Sequence, residues 1–273
     1  MSSLVIIRHT AAIRIMHWLN ALCVFLMLMS GLQIFNAHPR LYWGQYGANT
    51  DPAVMEITAR ESSNGQPLGV VRFGRHEIPT TGFMGISNDG AGNPSARGFP
   101  SWATIPSYQD LATGRRWHFF FAWLLVINSA LYFLLGFATR HVQRDLLPTR
   151  MQWSVSSIAR DFWDHLRLRF PKGEAARQYN SLQKLAYLVV LFILAPLILA
   201  TGLTLSPGMD AGFPWLLSLF GGRQSARTVH FICAMSVVLF ILIHVVMVVL
   251  AGPLNELRSM ITGRYTLPAE TMK

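Results

Sequence analysis

Charge is scarce in this chain. Only 13% of its 273 residues are Asp, Glu, Lys or Arg, against about 25% in an ordinary soluble domain. Acids are the rarer sign, 13 against 23 Lys and Arg. Cysteine is nearly missing: Cys23 and Cys233 form neither a Cys-x-x-Cys pair nor a Cys-x-x-Cys-His attachment site, which excludes covalently attached c-type haem. Both read as small apolar packing residues. A removable signal peptide is lacking too. The first apolar run is too long for a signal h-region and no small-residue cleavage site follows it, so it reads as a span that doubles as the insertion signal.

What remains is apolar: 52% of the residues are hydrophobic, and they fall in four blocks at about 13–35, 117–139, 185–205 and 229–251. Each is about 20 residues or longer, enough for a helix to cross a hydrocarbon layer of about 30 Å. The expected fold is an all-α integral membrane protein. It is a four-transmembrane-helix bundle forming one domain, 1–273, with a long extracytoplasmic loop between helices 1 and 2 (36–116) and a cytoplasmic loop at 140–184.

The formal charge of +10 follows topology. The N-terminus, the 140–184 loop and the C-terminal tail carry 14 basic and 6 acidic residues; the 36–116 and 206–227 loops carry 9 and 7. Lys/Arg excess marks the cytoplasmic side, and the 140–184 loop decides, because long loops translocate regardless of charge. The expectation is a multi-pass protein of a bacterial cytoplasmic (inner) membrane with both termini cytoplasmic, membrane lipid as solvent and no nucleic-acid partner. The 36–116 loop, rich in Gly, Pro, Asn and Ser, is expected to have little regular structure apart from a hairpin at VVRFGRHEIP, where two β-leaning runs flank a Gly-Arg turn. In 140–184, Ile158, Phe162, His165/Leu166 and Arg169 share one helical face, which suits an interfacial amphipathic helix. No internal repeat is evident.

Ionisable groups inside spans are costly and usually functional. TVHFICAMSVVLFILIH, residues 228–244, holds a histidine near each end. Fourteen residues advance a helix about 40° short of four full turns, so His230 and His244 lie near one face, about 21 Å apart along the axis. Depth then selects their partners. His17 in RIMHWLN lies near the cytoplasmic end of span one, at the level of His244. His118 in RRWHFFFAW opens span two at the extracytoplasmic side, at the level of His230.

Two imidazoles from different helices, with no Asp or Glu nearby in the spans, do not make a zinc site, which draws on three or four ligands. Nor do they make a di-iron site, which needs Glu-x-x-His. Haem b needs only one axial ligand on each side of its iron, and bis-histidine ligation favours electron transfer over oxygen chemistry. The expected cofactors are two haems b, with His17 and His244 on the cytoplasmic-side iron and His118 and His230 on the extracytoplasmic-side iron. The competing reading is a set of structural or proton-relay histidines. Gly31, fourteen residues after His17, suits close approach of a macrocycle to the helix backbone, or ordinary packing. Arg14, Arg115, Arg116 and Arg227 flank the four histidines and suit haem propionates, although arginine at span ends is common in any membrane protein. His9, His38, His76, His141 and His165 are read as non-ligands.

RIMHWLNALCVFLMLMSGLQIF resembles the first span of bacterial cytochrome b subunits found with nickel-iron hydrogenases and formate dehydrogenases, the cytochrome b561-like family. SARTVHFICAMSVVLFILIHVVMVVLAG is similar to their last haem-binding helix, including the fourteen-residue spacing. LATGLTLSPG and GPLNELRSMITGRY look closest to the thiosulfate reductase cytochrome b group. The resemblance covers roughly the four spans. It places ligands at His17, His118, His230 and His244, and it implies electron exchange with the membrane quinone pool at one end and an extracytoplasmic redox protein subunit, often a molybdenum or other metal oxidoreductase, at the other. The 36–116 loop is longer than in the hydrogenase and formate dehydrogenase types, so the partner's identity does not carry over. Asn20, Asn180 and Gln183 are candidate quinone hydrogen-bonders near the cytoplasmic haem. The runner-up reading is a stand-alone haem oxidoreductase acting on superoxide or ferric ions; a bare membrane anchor with vestigial sites is the third.

Overall fold

The computed structural model describes residues 4–140, 147–149, 151–167 and 180–267. Among the described residues four helices are long and apolar enough to cross a membrane: α1 (Ala11–Asn36), α2 (Leu111–Ala138), the third span Ser181–Leu205, and α8 (Arg223–Ala251). Large apolar side chains along them face outward, among them Phe120, Leu134 and Leu239, as lipid-solvated surface requires.

The helices start earlier than the apolar runs. α2 begins six residues before Trp117 because Asp110 Oδ1 accepts the Thr113 N–H, an N-cap that hydropathy does not register. The third span begins at Ser181 through a capping box: Asn180 Oδ1 accepts from Gln183 N at 2.8 Å and Gln183 Oε1 accepts from Asn180 N at 3.2 Å. This span consists of α4 (Ser181–Val189), a π-helical turn (Val190–Leu194) and α5 (Ala195–Leu205). Pro196 explains the turn: it has no N–H and its ring crowds the carbonyl four residues back. The Ala195 N–H accordingly bonds Val190 O, five residues back.

The structure is predominantly helical but not all-α. Among the described residues eight strands form three small antiparallel sheets, and most of them lie where little regular structure was expected. The cause is a series of short alternating runs such as Met55–Glu61, whose Met55 and Ile57 are buried while its far end is exposed.

Two compact units divide the chain, and the four long helices contribute to both. The first comprises Met1–Leu19, Asn128–Pro196 and Met235–Lys273. In it β1 (Leu4–Ile7) pairs with β8 (Arg264–Leu267), Ile6 opposite Tyr265, so the two ends of the described chain lie together. Arg8 bonds Glu256 at 3.2 Å on α9 (Pro253–Thr262) and lies 4.7 Å from the Tyr265 ring. α3 (Val155–Leu166) carries Ile158 and Phe162 on one face, as the spacing predicts, and joins α4 through Ser157 Oγ to Ser181 Oγ and Ser181 N to Asp161 Oδ2. Arg169 and His141 lie outside the described residues.

The second unit comprises Asn20–Ile127 and Leu197–Ala234. Its sheet runs β2 (Arg40–Leu41), β3 (Met55–Glu61), β4 (Pro67–Phe73), β5 (His76–Pro79). β4 and β5 form the hairpin expected at VVRFGRHEIP, with Phe73 opposite His76. A second hairpin pairs β6 (Gly85–Asn88) with β7 (Pro94–Arg97). The core is Phe35, Leu41, Met55, Ile57 and Val71, against which Met84, Phe99 and Phe231 pack. Glu56, its side chain 3% exposed, sits opposite Arg40 and Arg72 on the two neighbouring strands and bonds both. The insert also completes the start of α8. Gly44 O accepts the Gln224 and Ser225 N–H groups, Gly44 N donates to Ser225 Oγ, and Thr228 Oγ1 donates to Tyr42 O. Orphan N–H groups of a helix end are thereby satisfied. Two short helices, α6 (Pro207–Gly212) and α7 (Pro214–Leu219), precede it.

Candidate functional site

The two histidine pairs selected by depth are the two pairs that the structure brings together. In the first unit His17 on α1 faces His244 on α8, ring centroids 6.3 Å apart with planes at 62°. Phe240, one turn back on α8, stacks on His244 at 6.0 Å, and Tyr187 meets Phe240 edge-on. On α1, Trp18 Nε1 donates to Met260 O and Met16 O accepts from Asn128 Nδ2, which fixes the helix on either side of His17.

In the second unit His118 on α2 faces His230 on α8, centroids 6.2 Å apart and planes at 65°. The Nδ1 of His118 lies 3.1 Å from Met27 O and 3.2 Å from Ser30 Oγ. The Nδ1 of His230 lies 3.1 Å from Ile198 O and 3.0 Å from Thr201 Oγ1. A carbonyl only accepts, so each Nδ1 carries the proton and each Nε2 keeps its lone pair.

These features test the fit to haem. Metal–imidazole bonds are about 2 Å and a ring centroid lies about 1.1 Å behind its own nitrogen, so two rings ligating one ion from opposite sides have centroids about 6 Å apart. Both pairs meet that spacing. In the second pair the tautomer also leaves Nε2 as the ligating atom, with a carbonyl behind Nδ1 as metal-bound histidines usually have. Among the described residues no three His, Cys, Asp or Glu side chains converge, so each pair offers two imidazoles alone, the donor set of a bis-histidine haem.

The arginines are placed unequally. Arg14 Nη1 bonds Ile261 O while its buried Nε has no partner. Arg227 donates to His38 O and lies 5.3 Å from the Phe35 ring, so protein groups already engage it. Arg115 lies 5.7 Å from the Phe119 ring and Arg116 is exposed. Asn180 and Gln183 serve as the N-cap of α4; the Asn-x-x-Gln spacing was a capping signal in the sequence.

Gly31 packs against a ligand candidate. A Cβ there would sit 3.3 Å from Cε1 of His118, so the group it admits is the imidazole of His118. Gly202 does the same for His230, also at 3.3 Å. Ser30, Thr201 and Gly202 escaped the sequence reading. Their signal was the matching hexapeptides LMLMSG (26–31) and LILATG (197–202), too short to register as a repeat.

Four helices long and apolar enough to cross a membrane, with two couples of facing histidines, fit a multi-pass membrane cytochrome of the b type. The comparisons agree: residues 8–263 match the family described as Prokaryotic cytochrome b561. The chain belongs to that family, whose members bind haem b and transfer electrons in the membrane. A curated relative from Azospira oryzae, "Putative protein-methionine-sulfoxide reductase subunit YedZ1", is 26% identical over 255 residues, 93% of this chain and 96% of the relative. No solved structure matches. The family match is broader than the thiosulfate reductase group to which LATGLTLSPG and GPLNELRSMITGRY pointed.

Proposed function

We propose that this chain is a di-haem b subunit that moves electrons between the membrane quinone pool and an oxidoreductase docked on the extracytoplasmic side. The observation that carries the proposal is the pair of facing imidazole couples, His17–His244 and His118–His230, at 6.3 and 6.2 Å. The two couples would hold haem b, which would supply a reversible one-electron redox centre at each. The chain's own residues hold the ligands. Met27 and Ile198 carbonyls fix the rings of His118 and His230, and the Phe240 ring backs His244. The buried, unpartnered Nε of Arg14 suits a propionate near the His17–His244 couple.

The Lys/Arg distribution supports placing the chain ends and the 140–184 segment on the cytoplasmic side. The insert between α1 and α2 and the 206–227 segment then face outward and form the docking surface. The Azospira relative is named as a subunit of a reductase, which supports an oxidoreductase partner here. Quinone is assigned to the His17–His244 end.

The test is a dithionite-reduced minus air-oxidised visible spectrum of the purified chain, with extracted haem quantified. A low-spin b-type spectrum with about two haems per polypeptide is expected for two bis-histidine sites. One haem or none overturns the reading.

A further inference from the structure

The rings of His118 and His230 rest on the same two-residue device, used once on α1 and once on α5. At Ser30–Gly31, the hydroxyl donates to Leu26 O at 2.7 Å and lies 3.2 Å from His118 Nδ1. At Thr201–Gly202, the hydroxyl donates to Leu197 O at 2.7 Å and lies 3.0 Å from His230 Nδ1. In both, the carbonyl three residues before the hydroxyl is the second acceptor for Nδ1, Met27 O in one case and Ile198 O in the other, each at 3.1 Å. In both, the following glycine leaves the space that the ring's Cε1 occupies, 3.3 Å from a would-be Cβ. Ser30 and Thr201 are fully buried.

We infer that Ser30 and Thr201 are positioning residues that set the ligand strength of His118 and His230, with Gly31 and Gly202 making room for the rings. The inference rests on the haem reading proposed above. Each hydroxyl spends its own proton on the i−4 carbonyl, so towards the imidazole it acts only as an acceptor. That donated bond polarises the oxygen and strengthens it as an acceptor. A stronger acceptor behind Nδ1–H makes Nε2 more basic, and a more basic axial ligand favours ferric over ferrous iron. Two such seats act on one site, so their effects fall on one of the two haems and in one direction.

The experiment uses the full chain in detergent, loaded with haem, and redox titration of the visible bands. Thr201→Val and Ser30→Ala each remove one hydroxyl. Outer-shell partners change metal affinity about 10- to 100-fold. At the lower end, a tenfold preference for the ferric state amounts to about 59 mV for a one-electron couple. The expected result is an upward shift of about that size in one component of a two-component titration, with the other unmoved. Thr201→Ser and Ser30→Thr, which keep the hydroxyl, are expected to titrate as the wild type. Four outcomes overturn the inference: neither variant shifts a potential, both components move together, the potential falls, or Thr201→Ser shifts as far as Thr201→Val. Should Thr201→Val fail to assemble, Ser30→Ala decides by the same criteria. Failure of the haem reading is separate and visible first, as a wild-type chain without two low-spin haems.

Discussion

A Cβ on Gly202 would lie 3.3 Å from Cε1 of His230 and 3.7 Å from its Nδ1. The neighbour that must yield is an imidazole pinned by two bonds at 3.0 and 3.1 Å, not the free end of a flexible chain. Gly202→Ala is therefore expected to push the ring off its seat and weaken one haem site, and Gly31→Ala to do the same through His118. The measurement is haem per chain and the high-spin fraction of the visible spectrum. Gly→Ala favours the helix itself by about 0.8–1 kcal/mol, so a loss of haem without loss of helix content isolates the steric effect.

His244→Ala removes one imidazole of the His17–His244 couple and leaves His118–His230 intact. Haem content is expected to fall from about two to about one per chain, with loss of reduction by quinol. Retention of native-rate quinol reduction by the remaining haem would move the quinone site to the His118–His230 couple.

Glu56 lies between Arg40 and Arg72, its carboxylate 3% exposed while the two arginine side chains are 25% and 44% exposed. Breaking a fully buried pair costs about 3–5 kcal/mol. Here solvent reaches both guanidiniums, so Glu56→Ala is expected to cost about 1–3 kcal/mol. Faster proteolysis within 37–110, with the four helices resisting, is the readout.

His38 feels the charges of Arg227 and Arg40, with Glu56 opposing them. Burial first, then the two cations, hold its imidazole below the ordinary 6.5. The folded state thus prefers the neutral ring, and the unfolded chain binds the proton more readily. The stability contribution is present above about pH 6.5 and is lost as pH falls towards the lower, folded-state value. His38→Gln is expected to flatten the fall in thermal stability between pH 7.5 and 5.5. An identical fall in both proteins would show that other groups cause it.

Much of this was legible in the sequence because the membrane simplifies the problem. A span must be long, apolar and helical, so composition gave four helices. A polar group in hydrocarbon must find a partner, so depth alone selected His17 with His244 and His118 with His230, which the structure brings to 6.3 and 6.2 Å. The β-rich insert is less legible. Its strands are two to seven residues long and are fixed by pairing and by Phe35 and Phe231 from the helices, which local pattern does not reveal.

By itself the sequence determined the class of molecule, the number of spans and the identity of the facing histidines, because hydropathy and depth are properties of residues in order along a chain. Only the tertiary structure decided what stands behind those histidines. Ser30, Gly31, Thr201 and Gly202 touch His118 and His230 across 87 or 88 and 28 or 29 positions of chain. The matching hexapeptides LMLMSG and LILATG are too short to stand out until another helix delivers a ring to each.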